Sequence, residues 1–561
     1  MLNEFYPKPK MKRRMDEGYF LSLNGSWEYE IFPSLDIAMK EALNHSFNKE
    51  IIVPYPIESI LSRVQYNLKK GEALVYHKSF KFKALGSETI LNFGAVDNEC
   101  YVYFNGQMVT KHLGGYLPFS VDITKYLRED NELIVIVKDD LDKDYPYGKQ
   151  SLKSSGIWYT KVSGIWKNVF IESYSKTGIE KLGIETDFDH QAIILGISSI
   201  DKERTITISF NNEIIKELTT TDDLITIPLD NVKLWTPEEP NLYYIGVKTS
   251  TDYVETYTSF RKINIETYNG HKLIYLNNKP YYLHGLLDQG YYKEGIFTPK
   301  SIDDVINDLT TIKRLGFNTL RKHIKVEEEY WYYLCDKLGI LVIQDMVNSF
   351  KYKFISNTVL PVLGIKNVNL RFRLGKKKAK DFFINHSIET IKLLKKYNSI
   401  IMWTIFNEGW GEFDVKRVDL TLKKIDNSRL FDTCSGWFKS KYNMFDSRHV
   451  YFKEFKLKKI KKDKCLFLSE FGGYTLNIPD HNDTNKEFGY KKMESIEDFN
   501  NKILELYDYE IIPKLEHGLA GSIYTQLSDV ENELNGIMTY DREIIKLDES
   551  VALKIARKLK F

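Results

Sequence analysis

The chain has 561 residues, of which 43% are hydrophobic and 14% aromatic, and this length suits three or four domains of ordinary size. Its 79 Lys and Arg residues almost balance its 77 Asp and Glu residues, so the formal net charge is only +2. A charge this small argues against nucleic acid or an anionic membrane surface as the partner, and favours a neutral or small molecule.

Cysteine spacing and the N-terminal segment bear on metal binding and on the cellular location of the protein. Cys100, Cys335, Cys434 and Cys465 are far apart and lack the CxxC or Cys/His spacing of a structural metal site. The segment MLNEFYPKPKMKRR is positively charged, but no apolar core of signal-peptide length follows it, and no later apolar run is long enough to span a bilayer. We therefore expect a soluble, cytoplasmic protein with reduced thiols, no metal ion and no redox cofactor.

Residues 1–174 have the pattern of short strands separated by turns. The segments SWEYEIF, YHKSFKF, TILNFGA, CYVYFNG and ELIVIVKD alternate apolar and polar residues. Asn105-Gly106 follows one of them and predicts a type I′ hairpin, because both residues tolerate the positive φ angles of that turn. Strands of this kind predict a β-sandwich.

A second strand-rich region covers residues 175–265. It contains TITISF, LITIPL and LYYIGVKT, and its length suits one immunoglobulin-like sandwich. Within LWTPEEPNLY, the residues Trp235, Pro237 and Pro240 indicate a turn-bounded edge. Because no repeat relates the two β regions, we predict two different sandwiches.

From residue 266 to residue 561, helical segments alternate with short apolar strands, as in a (β/α)8 barrel. One helix is predicted after Pro299, with apolar residues at i, i+3, i+4 and i+7, Ser301 as its N-cap and Gly316 as its stop. The eight predicted strands lie in LHG (283–285), FNTLR (317–321), ILVIQD (340–345), SIIMWTIFNE (399–408), RLFDTC (429–434), the stretch 445–452, KCLFLSEF (464–471) and AGSIYTQ (520–526).

Two glutamates stand at the ends of predicted barrel strands, where the active sites of such barrels form. Glu408 ends strand four in TIFNEGWG, and Glu470 ends strand seven in LFLSEFGG. Taken alone, either residue could be a solvated strand-end charge or the N-cap of the next helix. Their placement on two strands that face each other across the barrel mouth favours a catalytic pair.

Glycoside hydrolysis requires two carboxyl groups that flank the scissile bond. One is protonated and assists the leaving group, while the other is ionised and attacks the anomeric carbon. In a retaining enzyme the two groups lie roughly 5 Å apart, so that ionisation of one raises the pKa of the other. We therefore predict that one of the two glutamates is the general acid/base and that the other is the nucleophile.

Seven short motifs occur in a distinctive order along the chain. They are LNGSWEY (23–29), GGYLPFSVDIT (114–124), GIWYTKVSGIWKNVFIE (156–172), LWTPEEPNLY (234–243), SFRKI (259–263), NEGWG (407–411) and SEFGG (469–473). In this order they resemble glycoside hydrolase family 2, which contains β-galactosidases, β-glucuronidases and β-mannosidases. The resemblance implies a sugar-binding-like jelly-roll β-sandwich (1–174), an immunoglobulin-like β-sandwich (175–265) and a catalytic (β/α)8 TIM barrel (266–561).

The resemblance implies that Glu408 is the general acid/base and Glu470 the nucleophile, and it also implies roles for two polar residues beside them. Asn407 would hydrogen-bond the sugar 2-hydroxyl, an interaction that strengthens in the oxocarbenium-like transition state. Arg321, at the end of strand two, would support the nucleophile with its bidentate fork. The alternatives are a helix cap for Asn407 and a surface ion pair for Arg321.

Further substrate contacts are implied on strands one, two and six. His323 and Tyr451 resemble positions that contact the sugar or support the nucleophile, and His284 and Asp288 lie where the family binds substrate hydroxyls. A structural role is the alternative for each of them.

Three tryptophans are candidates for stacking against a sugar ring. Trp410 and Trp437 follow strands and could supply such a platform. Trp403 lies within strand four, so we predict that it belongs to the core.

The sequence departs from family patterns at positions that bear on the substrate. The NHP motif that often precedes the fourth strand is replaced by residues 396–398, and a long basic segment occupies residues 351–380. The β-glucuronidase members carry an Asn-x-Lys pair near strand eight that binds the sugar carboxylate. The corresponding segment of this chain, ENELNGIMTYDRE, has Leu534 and Asn535 and no such lysine. We therefore expect a neutral sugar such as a β-galactoside rather than glucuronic acid.

Together these features predict an exo-acting, retaining β-glycosidase whose partner is a small-molecule or oligosaccharide glycoside. One alternative is a carbohydrate-binding protein without turnover, but two acids that repel each other contribute little to binding alone. The other is a transglycosylase, which differs only in whether water or a sugar intercepts the covalent intermediate. The family resemblance also implies homo-oligomers such as dimers or tetramers.

Overall fold

The computed structural model of the protein describes residues 5–353, 355, 357, 376–451, 453–457, 461–482 and 488–561. Most of the basic segment 351–380 lies outside these described residues, and so does Phe452, the last residue of predicted strand six. The described chain forms two β-sandwiches followed by a parallel eight-stranded barrel. This architecture confirms the predicted fold class.

The N-terminal sandwich packs two antiparallel sheets face to face. Its elements are β1 (Phe20–Ser22), β2 (Gly25–Phe32), α1 (Leu35–Glu41), β3 (Lys49–Val53), β4 (Ala73–Lys81), β5 (Glu88–Phe93), β6 (Val96–Asp97), β7 (Glu99–Phe104), β8 (Gln107–Leu113), β9 (Phe119–Asp122), β10 (Asp130–Lys138), β11 (Gln150–Ser151), β12 (Tyr159–Thr160), β13 (Gly164–Ile165) and β14 (Val169–Tyr174). The sheets have the strand orders β1-β14-β5-β9 and β3-β2-β4-β10-β7-β8. Alternate residues such as Trp27, Val102 and Val135 are buried in one core cluster.

The predicted hairpin joins β7 to β8. Asn105 and Gly106 have φ angles of 48° and 80°, and the two strands pair in antiparallel register on either side of them. The positive φ angles are those that the Asn-Gly pair tolerates best, which confirms the predicted turn.

The second sandwich is smaller and also antiparallel. Its strands are β15 (Ile179–Asp187), β16 (Ala192–Ser199), β17 (Arg204–Phe210), β18 (Glu213–Thr220), β19 (Leu224–Pro228), β20 (Tyr243–Lys248) and β21 (Tyr253–Thr258), in sheets ordered β15-β16-β19 and β18-β17-β20-β21. Trp235, from the predicted turn-bounded stretch, is fully buried, and its indole nitrogen donates to the Asp336 carbonyl at 2.7 Å. Because Asp336 belongs to the barrel region, this hydrogen bond connects the second sandwich to the barrel.

A short sheet of β22 (Ile263–Tyr268), β23 (His271–Leu276) and β24 (Lys279–Pro280) precedes the barrel. The following strands are β25 (Leu283–Asp288), β26 (Thr319–Lys322), β27 (Leu341–Asp345), β28 (Ile400–Asn407), β29 (Leu430–Ser435), β30 (Phe445–Val450), β31 (Cys465–Gly472), β32 (Tyr474–Thr475), β33 (Lys491–Lys492) and β34 (Leu519–Thr525). Barrel strands one to eight are β25 to β31 and β34, in the sheet order β29-β28-β27-β26-β25-β34-β31-β30. Ser447 Oγ donates to Asp432 Oδ2 at 2.7 Å across the nearly closed seam between β29 and β30.

The barrel helices lie between these strands along the chain. They are α2 (Ile302–Arg314), α3 (Glu329–Leu338), α4 (Lys377–Leu394), α5 (Val415–Lys423), α6 (Ile496–Glu505) and α7 (Glu549–Lys558). Ser301 caps α2 in a capping box with Asp304, and Gly316, with a φ of 81°, follows the end of that helix as predicted. None of the described helices has the length and apolar character needed to cross a membrane.

The N-terminal sandwich reaches the mouth of the barrel, where the carboxyl ends of the strands gather. The Tyr147 amide donates to the Asn348 carbonyl at 3.0 Å, and the Tyr147 hydroxyl donates to the Phe350 carbonyl at 3.0 Å. Asn348 and Phe350 follow β27, so residues of the sandwich border the same opening as the barrel loops.

Candidate active site

Glu408 and Glu470 meet at the mouth of the barrel. Glu408 directly follows β28 with a left-handed φ of 52°, and Glu470 lies in β31, whose residues are all buried. One carboxylate oxygen of each residue and Nδ1 of His449 lie within 4.8 Å of one another. The structure therefore brings together the two acids that the strand ends predicted.

A histidine that the sequence did not single out lies between these carboxylates. His449 Nδ1 lies 2.8 Å from Glu408 Oε1 and 3.5 Å from Glu470 Oε2, while Nε2 lies 3.1 Å from Ser435 Oγ. Burial lowers the pKa of His449 to about 4, although the charge of Glu470 opposes this effect. The ring is thus neutral near neutral pH, and one proton lies in the hydrogen bond between His449 and Glu408.

Arg321 joins the nucleophile candidate to neighbouring strands. Nη1 donates to Glu470 Oε1 at 2.9 Å and to the Ser469 carbonyl at 3.0 Å, and Nη2 donates to Asn407 Oδ1 at 3.0 Å. Nε donates to Asp345 Oδ1 at 3.0 Å. Burial disfavours the cation, but Asp345 and Glu470 together raise the pKa of Arg321, so it stays charged. Its full burial rules out the alternative of a surface ion pair.

Asp345 orients His323 as well as Arg321. His323 Nδ1 lies 2.7 Å from Asp345 Oδ2. Burial opposes ionisation of Asp345, but Arg321 and His323 outweigh this effect and lower the pKa of Asp345. Burial lowers the pKa of His323 to about 4. The neutral His323 ring therefore donates through Nδ1 and keeps Nε2 as an acceptor.

Tyr451 supports Glu470 from the side of strand six. Its hydroxyl donates a short hydrogen bond to Glu470 Oε2 and lies 3.1 Å from Thr525 Oγ1. Its ring stacks on Tyr490 with centroids 4.1 Å apart and an interplanar angle of 12°. Burial and the charge of Glu470 raise the pKa of Tyr451, which keeps it a phenol that can donate.

The tryptophans predicted as stacking platforms occupy different places. The Trp437 ring is half-buried beside His449, with centroids 6.1 Å apart. Trp403 is fully buried, as predicted for a core residue, and its indole nitrogen donates to Asp426 Oδ2 at 2.9 Å. Trp410 is 2% exposed and donates to the Phe350 carbonyl at 2.7 Å. Trp437 is therefore the one of these three beside the catalytic pair with an accessible ring.

Glu408 has the electrostatic setting of a general acid. Burial raises its pKa, and the positive charge of Lys149 is the first influence that opposes this rise. Lys149 directly precedes β11, so the N-terminal sandwich supplies a charge to the barrel mouth. A carboxyl group with a raised pKa retains its proton closer to neutral pH, which general acid catalysis requires.

His284 does not join this group, and its predicted contact with substrate is corrected. Its Nδ1 lies 3.2 Å from the Gly316 carbonyl, its Nε2 lies 3.2 Å from the Tyr507 hydroxyl, and its ring stacks on Phe317 with centroids 4.2 Å apart. Gly316 and Tyr507 follow barrel helices, so this side chain faces the helical layer. Successive side chains of a strand point to opposite faces, and His284 occupies the outer one.

The predicted contact between Asp288 and the substrate is also corrected. Its Oδ2 accepts from Lys322 Nζ at 2.5 Å, and its Oδ1 accepts from the Gly290 amide at 2.8 Å. Lys322 also donates to Glu327 Oε1 at 2.8 Å. Lys322 lies between Arg321 and His323 along β26 and points to the opposite face. Asp288 therefore belongs to a buried ion-pair network outside the catalytic group.

Other residues of the site escaped prediction for identifiable reasons. Asp345 is the last residue of the buried strand β27, and the signal that identified Glu408 at the end of its apolar run could have found Asp345 as well. His449 lies on strand six, whose polar sequence gave the weakest strand pattern. Lys149 comes from the N-terminal sandwich, and nothing local in the sequence signals that it approaches the barrel mouth.

Within the part of the chain that the structure describes, two groups of side chains have the geometry to hold a metal ion. They are Glu408 with His449 and Glu470, and His481 with Asp541 and Glu543. Each group is assembled from distant segments, so no ligand spacing in the sequence could reveal it. The first group coincides with the catalytic pair, where Arg321 already occupies one oxygen of Glu470.

A barrel with two carboxylates this close on strands four and seven defines the class of glycoside hydrolases. Family models agree with this class along the whole chain. Models described as the sugar binding domain, the family 2 domain and the TIM barrel domain of "Glycosyl hydrolases family 2" match residues 20–173, 184–261 and 269–547. The chain belongs to glycosyl hydrolase family 2.

The relatives that this chain resembles carry different names. A beta-galactosidase of Leuconostoc mesenteroides is 25% identical over 70% of this chain, and a putative beta-glucuronidase of Formosa agariphila is 24% identical over 74% of it. The chain spans 40% of the length of each of these curated relatives. The solved beta-D-glucuronidase of Dictyoglomus thermophilum is 19% identical with a TM-score of 0.72, covers 99% of both chains and supports the fold.

Proposed function

We propose that the protein is a retaining β-glycosidase in which Glu470 is the nucleophile and Glu408 the general acid/base. The separation of the two carboxylates carries this proposal, because oxygens of Glu408 and Glu470 lie within 4.8 Å of each other. Retaining glycosidases hold these groups about 5–5.5 Å apart, whereas inverting enzymes need roughly 6.5–9.5 Å to admit a water molecule between carboxyl group and sugar.

In the first step, a Glu470 oxygen forms a bond to the anomeric carbon while the bond from that carbon to the leaving oxygen breaks. Glu408 transfers its proton to the departing oxygen, and its raised pKa supports this role. Arg321 and Tyr451 each donate to one oxygen of Glu470, which fixes the carboxylate and keeps it ionised.

In the second step, Glu408 is a carboxylate and takes a proton from water. The water oxygen bonds to the anomeric carbon, and Glu470 leaves with the electrons of the glycosyl bond. The hydrogen bond of 2.8 Å between His449 and Glu408 holds the carboxyl group in place through both steps. We assign His449 this positioning role.

Asn407, His323 and Trp437 are proposed to contact the sugar. The Asn407 oxygen accepts from Arg321 at 3.0 Å, so its amide group would turn its nitrogen to a sugar hydroxyl as donor. His323 offers Nε2 as an acceptor, since Asp345 occupies Nδ1. Trp437 offers a half-buried ring beside His449 as a surface for the sugar or the leaving group.

We propose a neutral sugar such as a β-galactoside as the substrate. Relatives named beta-galactosidase, from Leuconostoc mesenteroides and Clostridium acetobutylicum, support this choice. The absence of a lysine at Leu534 and Asn535 also supports it, because the β-glucuronidase members of the family use a lysine near strand eight to bind the sugar carboxylate.

Release of p-nitrophenol from a panel of aryl β-glycosides tests the proposal. The panel comprises galactoside, glucoside, mannoside, fucoside and glucuronide, assayed with the wild-type protein, Glu408→Gln, Glu470→Gln and, as a matched surface control, Glu549→Gln. We expect turnover of a neutral glycoside that is lost in Glu470→Gln and unchanged in Glu549→Gln, with the β-anomer as the first product by NMR.

Other outcomes would favour the alternative functions. A first product of α configuration would contradict the retaining mechanism. Nitrophenol release accompanied mainly by transfer products would identify a transglycosylase. No turnover of aryl glycosides or natural oligosaccharides, with binding of sugar retained, would identify a carbohydrate-binding protein.

A further inference from the structure

A third carboxylate lies close to the catalytic pair. Glu533, in the segment that follows β34, is 2% exposed. Its Oε1 accepts from Asn535 Nδ2 at 2.9 Å, and its Oε2 accepts a short hydrogen bond from the Tyr159 hydroxyl. Tyr159 belongs to the N-terminal sandwich, so both domains fix the position of this carboxylate.

Ring contacts connect Glu533 to the tyrosine that supports Glu470. Glu533 pairs with Phe488 in an isolated β-bridge, and the centroid of the Phe488 ring lies 6.1 Å from that of the half-buried Tyr490. Tyr490 in turn stacks on Tyr451. Burial raises the pKa of Tyr490, and the charges of Glu533, Glu408 and Glu470 add to the rise in that order. The ring contacts and these charges together place Glu533 near the catalytic pair.

The surroundings of Glu533 are polar rather than apolar. The backbone amide of Gln526 donates to the Asn535 carbonyl at 3.1 Å, which places the end of strand eight beside Glu533. Gln526 Nε2 and Asn535 Oδ1 are buried and have no hydrogen-bond partner among the described residues. Unused hydrogen-bonding capacity at a buried position indicates a place for a polar molecule.

The charges around Glu533 decide which sugars it can accept. Burial raises the pKa of Glu533, and Lys149 opposes this rise while Glu470 adds to it. The two protein donors leave further lone pairs on the carboxyl oxygens, which can accept from sugar hydroxyls. A carboxylate on the sugar would instead approach the buried carboxylates of Glu533 and Glu470, and burial weakens the screening of such like charges by water.

We propose that Glu533 is a specificity-determining residue that accepts hydrogen bonds from the hydroxyl groups of a neutral sugar and excludes sugars that carry a carboxylate. This inference rests on the proposed glycosidase function and names the substrate class of the same site. Tyr159 and Asn535 act as positioning residues that hold Glu533 towards the sugar.

Paired substrates with the same aglycone measure this role directly. The value of kcat/KM is determined for p-nitrophenyl β-galactoside and β-galacturonide with the wild-type protein and with Glu533→Gln. We expect the ratio of neutral to acidic substrate to fall at least about tenfold in Glu533→Gln, because the amide removes the repulsion of the uronate and weakens the acceptor for hydroxyls. Equal changes with both substrates would overturn the proposal.

Tyr159→Phe is the matched control. It removes a hydrogen bond to the same carboxylate but leaves the charge in place, so the wild-type preference for the neutral sugar should persist. A ratio that falls as far in Tyr159→Phe as in Glu533→Gln would show that packing, and not the charge of Glu533, sets the preference.

Binding to Glu470→Gln separates this proposal from the proposed function. Calorimetric titration with galactose and galacturonic acid requires neither turnover nor a variant of Glu533. We expect galactose to bind at least about tenfold more tightly, and equal or tighter binding of galacturonic acid would overturn the role of Glu533. A preference for galactose in a protein that hydrolyses no glycoside would support Glu533 while contradicting the glycosidase.

Discussion

Arg321 Nη1 lies 2.9 Å from Glu470 Oε1, while Nε of the same guanidinium group lies 3.0 Å from Asp345 Oδ1. The arginine thus links strands two, three and seven and separates two carboxylates that would otherwise repel each other. Its planar fork also donates to Asn407. A single ammonium group in the place of Arg321 could not contact Asp345, Glu470 and Asn407 at the same time.

Arg321→Lys should therefore impair catalysis even though it keeps the positive charge. We expect kcat to fall on the order of 10²-fold, because Glu470 loses a fixed donor that stabilises its position in the transition state. Arg321→Met should also reduce the free energy of unfolding by about 3–5 kcal/mol, since it leaves buried Asp345 without its cation. Steady-state kinetics and urea unfolding measure the two effects.

Arg314→Lys is the control for this substitution. Arg314 pairs with Glu549 where both side chains are about half exposed, so the change should alter the unfolding free energy by less than about 0.5 kcal/mol. Wild-type kcat in Arg321→Lys would contradict the role assigned to the guanidinium fork.

The barrel and its catalytic pair could be predicted because topology restricts where strand ends lie. Apolar runs identify parallel buried strands, and their carboxyl ends must gather on one face. Any acid directly after such a run therefore reaches the mouth, as Glu408 and Glu470 do. The capping residue Ser301 and the stop at Gly316 were predictable for a similar reason, since both depend on local backbone chemistry.

The misplaced predictions share a physical cause. Every residue of β25, LHGLLD, is buried, so the strand shows no polar and apolar alternation that would tell inward from outward positions. His284 and Asp288 could not be assigned to a face from the sequence alone. Lys149 approaches the site through the packing of one domain on another, which leaves no pattern in its segment. Glu533 lies in the segment after β34, beyond the apolar run that marks the strand end.

The pH dependence of kcat/KM should follow the ionisation of Glu408. Burial raises its pKa, so the proton needed by the leaving group is present at lower pH and is lost as the pH rises through the pKa of the folded protein. The alkaline limb of kcat/KM should therefore disappear in Glu408→Gln. With an alkyl leaving group this variant should lose about 10²–10⁴-fold in rate, and with a dinitrophenyl group much less, because that group departs without a proton.

The same pH series with Glu549→Gln provides the reference. This glutamate lies on α7, away from the mouth, and its removal should leave both limbs in place. An unchanged alkaline limb in Glu408→Gln would assign the titrating acid to another residue.

Tyr451→Phe should slow the reaction without unfolding the protein. The hydroxyl donates to Glu470 Oε2, and the ring keeps its stacking on Tyr490 when the oxygen is removed. We expect kcat to fall up to about 10²-fold. Tyr507→Phe removes a hydroxyl that contacts His284 instead, so it should leave kcat unchanged. Equal losses in the two variants would point to a general packing effect rather than to support of the nucleophile.

Asp288→Asn should affect stability and leave substrate binding unchanged. The Asp288 carboxylate forms a buried ion pair with Lys322 at 2.5 Å, and an amide there would leave the lysine without part of its countercharge. We expect the free energy of unfolding to fall by about 3–5 kcal/mol at neutral pH, with KM for the neutral glycoside the same as in the wild-type protein. Urea unfolding and steady-state kinetics measure the two quantities.

The pH dependence of this stability loss identifies its cause. Burial raises the pKa of Asp288, but Lys322 outweighs that effect and holds the pKa below its usual value. A carboxyl group with a lowered pKa in the folded state stabilises the protein above the pKa of the unfolded state, about 4, and that contribution is lost as the pH falls through the folded value. The difference between wild type and Asp288→Asn should therefore be constant between about pH 5 and 7 and shrink below about pH 4. A difference in unfolding free energy that does not change with pH, together with a raised KM, would contradict the ion-pair role and support a contact between Asp288 and the substrate.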